Sequence, residues 1–276
     1  MLTGSVLAVN LPTWVVVAGA VLAGFGAGVL SALLGIGGAV VTTPVVRLLG
    51  ATPIEAVGST VPAIVPGAIS GAYRYAREQM VEWRLALGLG LTGAFMAVAG
   101  ALTSDVVPGR LLMVLTAALM LWAGISVVMK VRGGSAAAMD TRRDLDDGRA
   151  YPMVGVAMLG AVAGFVAGLL GVGGGIVLVP MLTGPLRVPM RRAVASSLVA
   201  VAMFQVPALV THVALGHVNW ALALPLMAGV VPGAQVGAKL TVAASDRTIR
   251  ILFGLLIVVL AIVYGATEAR GLISGS

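Results

Sequence analysis

Apolar residues run along this chain in blocks of about twenty, broken by short polar stretches. The blocks fall at about 12–34, 54–72, 85–104 and 110–129, and again at about 152–170, 191–212, 219–241 and 248–267. About 20 apolar residues in a helix cover the roughly 30 Å hydrocarbon core of a bilayer. The runs are continuous rather than alternating at period two, so they predict membrane-spanning helices and not a membrane β-barrel. Two shorter apolar segments, 36–50 and 172–186, sit between the first and second block of each set. About 15 residues make only about 22 Å of helix, too short to cross comfortably, so these read as half-helices or re-entrant pieces.

The second set of blocks repeats the first. At an offset of 136, Gly35, Gly37, Gly38, Pro44 and Pro53 fall on Gly171, Gly173, Gly174, Pro180 and Pro189. At 137, AVGST (56–60) falls on AVASS (193–197), VEW (81–83) on VNW (218–220), Gly100 on Gly237 and Arg110 on Arg247. The expected organisation is a first membrane repeat at 12–130, a linker at 131–151 and a second repeat at 152–267. The linker holds the only long polar stretch. Internal repetition is a common way to build secondary transporters, and it also arises from duplication without functional symmetry.

Loop charge bears on whether the short segments change sides. If they dip in and return, there are eight crossings, and Lys and Arg divide 9 against 8 between the two faces. If they change sides, one face holds Arg74, Arg77, Arg84, Lys130, Arg132, Arg142, Arg143, Arg149, Arg187, Arg191, Arg192, Lys239, Arg247 and Arg250. The other then holds only Arg47, Arg110 and Arg270, a division of 14 against 3. The positive-inside rule favours the second arrangement. It places the linker in the cytoplasm and both termini outside, in a cell (inner) membrane. With five segments per half it also inverts the second repeat relative to the first.

Composition narrows the chemistry. Hydrophobic residues make up 59% of the chain and charged residues 10%, against about 25% charged in ordinary soluble domains. The net charge of +7 reads as cytoplasmic loop charge rather than a nucleic-acid surface. Cysteine is absent, which excludes disulfides and thiolate metal sites. With two histidines and no carboxylate deep in an apolar run, neither a metal nor a cofactor is expected. The lack of a central acid also argues against a cation pump and is compatible with an anionic substrate. The N-terminus has no basic segment ahead of its apolar run, so no cleaved signal peptide is expected.

The candidate site is the doubled glycine cluster, Gly35, Gly37 and Gly38 with Gly171, Gly173, Gly174 and Gly175. Glycine permits positive φ, and unwound backbone survives inside a bilayer only where protein buries it or it lines a cavity. A break there opens the N-terminus of the next half-helix, whose N–H groups and dipole suit an anion. The other reading is a packed turn without a ligand. A nucleotide loop fails on spacing, because Ile176 and Val40 stand where a third glycine is required.

Ser59, Thr60, Ser196 and Ser197 occupy equivalent places and could donate to an oxyanion or bond back to a helix carbonyl. Gln205 reads as a cavity donor. His212 either relays a proton or sits at the interface near His217. Gly24/Gly28, Gly160/Gly164/Gly168 and Gly229/Gly233/Gly237 are spaced for helix packing. Trp83 and Trp220 read as interfacial anchors, and Lys239 as a snorkelling side chain.

Over about 12–267 the chain resembles the sulfite exporter TauE/SafE family of membrane permeases. The resemblance rests on GAGVLSALLGIGGAVVTTPVV followed by P-x-E-A-V-x-S-T, and on GFVAGLLGVGGGIVLVPML followed by A-V-A-S-S. It implies a transporter of a small sulfur-containing or organic anion such as sulfite, a sulfonate or sulfoacetate, with a site at the two glycine clusters and the paired hydroxyls; the expected mechanism is alternating access by the two repeats, in export or import. Ala39 departs from the fuller pattern, standing where the second copy has Gly175. A passive anion channel is the runner-up and an integral membrane enzyme a weaker third. The partners expected are the anion and the lipid bilayer; proton or sodium coupling and the oligomeric state stay open.

Overall fold

The computed structural model describes residues 13–49, 51–132 and 152–245, with 247–249, 251–252 and 255–256 beyond them. The linker past Arg132 and most of the span expected at 248–267 therefore lie outside the described residues. Helices are the only regular elements among the described residues. In chain order they are α1 (Thr13–Leu34), α2 (Ala39–Leu48), α3 (Pro53–Arg77), α4 (Trp83–Val106), α5 (Gly109–Arg132), α6 (Met153–Leu170), α7 (Gly175–Thr183), α8 (Met190–Ala214) and α9 (Trp220–Ala243). The expected blocks are all there wherever residues are described. The two short segments are shorter than expected: α2 has 10 residues and α7 has 9, about 15 Å of helix or half a hydrocarbon core.

Local chemistry sets the boundaries. Thr52 and Glu55 form a capping box at the start of α3, and Pro53 takes the first helical position. The Asn219 side chain accepts from Ala221 N at 3.1 Å and caps α9. Gly171, at φ 62°, ends α6 in a left-handed turn.

Among the described residues, five helices are long and apolar enough to cross a membrane: α4, α6, α8, α9 and the Trp14–Leu34 part of α1. The bundle's outer surface is apolar, with Leu22, Phe95 and Val154 all more than two-thirds exposed. Such a surface fits lipid and would be a liability in water. The chain is thus an all-helical, multi-pass membrane protein. The 25-residue α3 carries two prolines in its interior, Pro62 and Pro66, and is largely buried by its neighbours, so it need not be as apolar as a lipid-facing helix. Trp83 and Trp220 are half-exposed at the starts of α4 and α9, as interfacial anchors would be.

Two glycine seams hold the bundle. A methyl at Gly24 would lie 2.3 Å from the Leu226 carbonyl oxygen, and one at Gly28 2.3 Å from that of Val230. From the other side, methyls at Gly229, Gly233 and Gly237 would meet the carbonyl oxygens of Val21, Phe25 and Val29 at 2.0–2.2 Å. The seam between α4 and α6 is built alike: Gly160, Gly164 and Gly168 lie against Leu89, Gly93 and Ala97. Only hydrogen-sized side chains let these backbones approach.

Matching contacts also give the helix directions. Residue numbers rise together along α1 and α9, and along α4 and α6. They rise together along α3 and α9, through Ser59–Asn219 and Ser70–Gln235, and along α4 and α8, through Glu82–Ser196 and Gly93–Phe204. The start of α3 and the end of α4 both reach His217, through Gly58 and Asp105, so these two helices are antiparallel. Helices α1, α3 and α9 therefore point one way and α4, α6 and α8 the other.

Candidate functional site

The two glycine breaks meet back to back. Gly35, Gly37 and Gly38 have φ of 73°, 89° and 82°; Gly171, Gly173 and Gly174 have 62°, 86° and 68°. Side-chain-bearing residues avoid this region, so the sequence needs glycine at these positions to turn the chain between helices. A methyl on Gly37 would lie 3.0 Å from the Gly173 Cα, and one on Gly173 3.0 Å from the Gly37 Cα. Gly175 has no positive φ. It opens α7, and a methyl there would lie 1.9 Å from the Gly35 carbonyl oxygen.

Gly38 and Gly174 are the N-caps of α2 and α7. The positive dipole ends of two half-helices thus begin within one residue of the Gly37–Gly173 contact. Pro44 and Pro180 lie inside these half-helices and lack the N–H that would bond the carbonyls of Val40 and Ile176.

The paired hydroxyls act first on the backbone. Ser197 Oγ donates to Val194 O at 2.9 Å and faces Gly35 O at 3.1 Å. Its counterpart Thr60 Oγ1 donates to Val57 O at 2.9 Å and faces Gly171 O at 3.4 Å. Each thereby ties its helix to the glycine break of the other half. Ser59 Oγ accepts from Asn219 N at 2.8 Å, and Ser196 Oγ accepts from Glu82 N at 2.9 Å. These two hold the entry turns of α9 and α4. The back-bonding reading therefore describes Thr60 and Ser197. Ser59 and Ser196 use their oxygens as acceptors, and each hydroxyl carries one further proton to give.

Gln205 differs from all four. It is fully buried on α8, and neither its Nε2 nor its Oε1 has a hydrogen-bond partner in the protein. A buried amide left unpaired costs about 1–3 kcal/mol, which calls for an explanation. Gly71 of α3 packs against Leu198 of α8, and the two helices are antiparallel, so Gln205 stands level with Ile64. Ile64 lines a narrow crevice, too tight to hold a water, together with Gly37, Gly38, Thr42, Ala63 and Val230. The crevice therefore borders the glycine break at the N-terminus of α2.

Sequence reasoning missed Thr42 and Thr43. Both are buried on α2, and Thr43 Oγ1 has no partner in the protein. The signal was the TT pair between the break and Pro44 in an otherwise apolar segment. It also missed a chain of contacts at the far end of α8, where His212, His217 and Asp105 bond in series. Among the described residues, no three His, Cys, Asp or Glu side chains are placed so that together they could hold a metal ion.

Three comparisons bear on identity. The family model for sulfite exporter TauE/SafE matches residues 20–264. A probable membrane transporter protein of Xylella fastidiosa (strain Temecula1) is 29% identical over 245 residues, covering 87% of this chain and 90% of its own length. The probable membrane transporter protein YunE of Bacillus subtilis is 26% identical over 258 residues, covering 87% and 94%. A probable membrane transporter protein of Methanocaldococcus jannaschii is 23% identical over 248 residues, covering 84% and 89%. No solved structure gives a significant match.

Proposed function

The chain belongs to the sulfite exporter TauE/SafE family, and from that premise we propose that it exports a small sulfur-containing or organic anion, such as sulfite, sulfoacetate or another sulfonate. The site is the meeting point of the two glycine breaks, and the mechanism is alternating access between two inverted repeats. The carrying observation is the Gly37–Gly173 contact, because it brings the positive ends of α2 and α7 to one place. A formal cation is then unnecessary: helix N–H groups, the Gln205 amide and the hydroxyls of Thr43, Ser59 and Ser196 can serve as donors.

The inverted arrangement draws support from the helix directions. At the repeat offsets α1, α3 and α4 correspond to α6, α8 and α9, and each corresponding pair points opposite ways. The side contacts support it too. Arg192 pairs with Glu82, and His217 with Asp105. If the short segments returned to their side of entry, each of these pairs would be split across the membrane. With the linker cytoplasmic, Glu82 and Arg192 face the cytoplasm, and Asp105 and His217 face outward in the inner membrane.

A thermal-stability screen of the full chain with sulfite, sulfoacetate, taurine and thiosulfate tests the site. A ligand that binds only the folded state stabilises it by about 2.7 kcal/mol at a hundredfold excess over Kd. The expected result is a shift with one of these anions that Gly173→Leu or Gly37→Leu abolishes while the variant still inserts. Unchanged shifts in both variants would leave the glycine breaks as packing alone.

A further inference from the structure

At the outward end of α8, three ionisable side chains and one carbonyl form an unbroken line. His212 Nε2 lies 3.0 Å from Gly168 O, His212 Nδ1 lies 3.1 Å from His217 Nδ1, and His217 Nε2 lies 3.0 Å from Asp105 Oδ1. His212 is fully buried and His217 nearly so, whereas Asp105 is half-exposed. The line runs from the surface, at the end of α4, to the last turn of α6, three residues before Gly171.

Counting protons along this line gives a definite answer. Gly168 O can only accept, so His212 Nε2 must carry a proton. An ionised Asp105 can only accept, so His217 Nε2 must carry one as well. Two neutral imidazoles then have no proton left, and two bare Nδ1 lone pairs would face each other at 3.1 Å. A third proton between the rings removes the conflict. Equally, that proton can reside on Asp105: Asp105 donates to His217 Nε2, His217 Nδ1 donates to His212 Nδ1, and His212 Nε2 donates to Gly168. Both distributions hold the same three protons. They interconvert when Asp105 gives its proton to His217 Nε2 and His217 passes its Nδ1 proton to His212, which becomes the imidazolium. With only two protons, one of the three contacts must open.

We propose that Asp105, His217 and His212 are a proton-binding relay whose third proton latches the ends of α4 and α8 to α6 beside the Gly171 break. We further assign this proton as the coupling ion of the transport cycle, a step that rests on the function proposed above. The neighbouring elements carry few ionisable groups. Helix α6 has no ionisable side chain. On α3 the nearest is Glu55, whose carboxylate is engaged by Thr52 N and Oγ1, each at 2.8 Å. Helix α5 brings Arg110 near its start, and the nearest on α8 and α9 are Arg192 and Lys239 at their far ends. The relay belongs to one half alone. Tyr75 corresponds to His212 and donates to Ala32 O at 2.7 Å, the equivalent of Gly168. Met80 and Val242 stand where His217 and Asp105 would be.

The chain has two histidines, so isotope-labelled histidine reports on this pair and nothing else. Nitrogen NMR of the full chain in lipid should show the pair gaining one shared proton as the pH falls, read either as a third ring proton or, with that proton on Asp105, as a change of His217 from Nε2–H to Nδ1–H. Asp105→Asn should move that step by more than half a pH unit. A ring-proton pattern that stays the same across the pH range, with neither a third ring proton nor a change of His217 tautomer, would overturn the relay. In proteoliposomes, flux of a sulfonate that carries no group titrating near neutral pH should move an internal pH dye, whereas sulfite would move the dye by its own protonation. His212→Tyr, which copies Tyr75 and keeps a donor for Gly168, should abolish the dye response while counterflow of that sulfonate continues. A dye response equal to wild type in His212→Tyr would overturn the coupling assignment. Absence of flux in the wild type with sulfite and sulfonates alike would instead defeat the transport reading, leaving the NMR result to decide the proton site.

Discussion

Gln205 offers a buried amide with two donor protons and an acceptor oxygen, and no protein group answers either end. Leucine has nearly the same volume and nothing to satisfy. Gln205→Leu should therefore stabilise the empty protein by about 1–2 kcal/mol, seen as a raised Tm. The same variant should lose the anion-induced Tm shift. A full shift in Gln205→Leu would remove this residue from the site. Gln205 was legible in the sequence because one amide in a long apolar run has few structural uses. The four hydroxyls were only half legible. Their equivalence between repeats was plain, but a hydroxyl beside a helix break serves a carbonyl as readily as a ligand. Only the three-dimensional contacts show that Ser197 and Thr60 face the opposite half's glycine break. The histidine relay was hidden for a different reason: Asp105 lies 112 residues from His217 and reads alone as loop charge.

At the scale of helices, the seams separate glycines that pack from glycines that do not. A methyl at Gly164 would lie 2.1 Å from the Gly93 carbonyl oxygen, whereas one at Gly19 would meet nothing within 4 Å. Gly164→Ala should cost about 1–3 kcal/mol, because the α4–α6 seam must open to admit it. Gly19→Ala should be neutral or stabilise α1 by up to about 1 kcal/mol through helix propensity. Thermal unfolding in one detergent compares the two directly, and equal effects would contradict the seam. Spacing by four residues was enough to read these stripes as packing. It could not name their partners, because α1 pairs with α9 and α4 with α6 across the repeat boundary. The two short helices were legible as elements too short to span, but their lengths were overestimated. Gly35–Gly38 and Gly171–Gly174 are turn, and so belong to no helix.

The molecule as a whole is two similar halves interleaved about the Gly37–Gly173 contact. Loop charge favoured an inverted arrangement before any geometry, since only side-changing short segments gave a 14 to 3 division of Lys and Arg. Most of the segment expected at 248–267, the counterpart of α5 in the repeat, lies outside the described residues. Under the proposed function, the two half-helix ends suit an anion, and the family description suggests its sulfur chemistry. Counterflow tests that central claim most directly. Proteoliposomes holding the full chain and preloaded with unlabelled sulfite should take up labelled sulfite faster than empty ones, with a rate that saturates. Uptake that never saturates and appears as conductance, or no uptake by this protein when labelled sulfite and sulfonates are each supplied, would contradict the account.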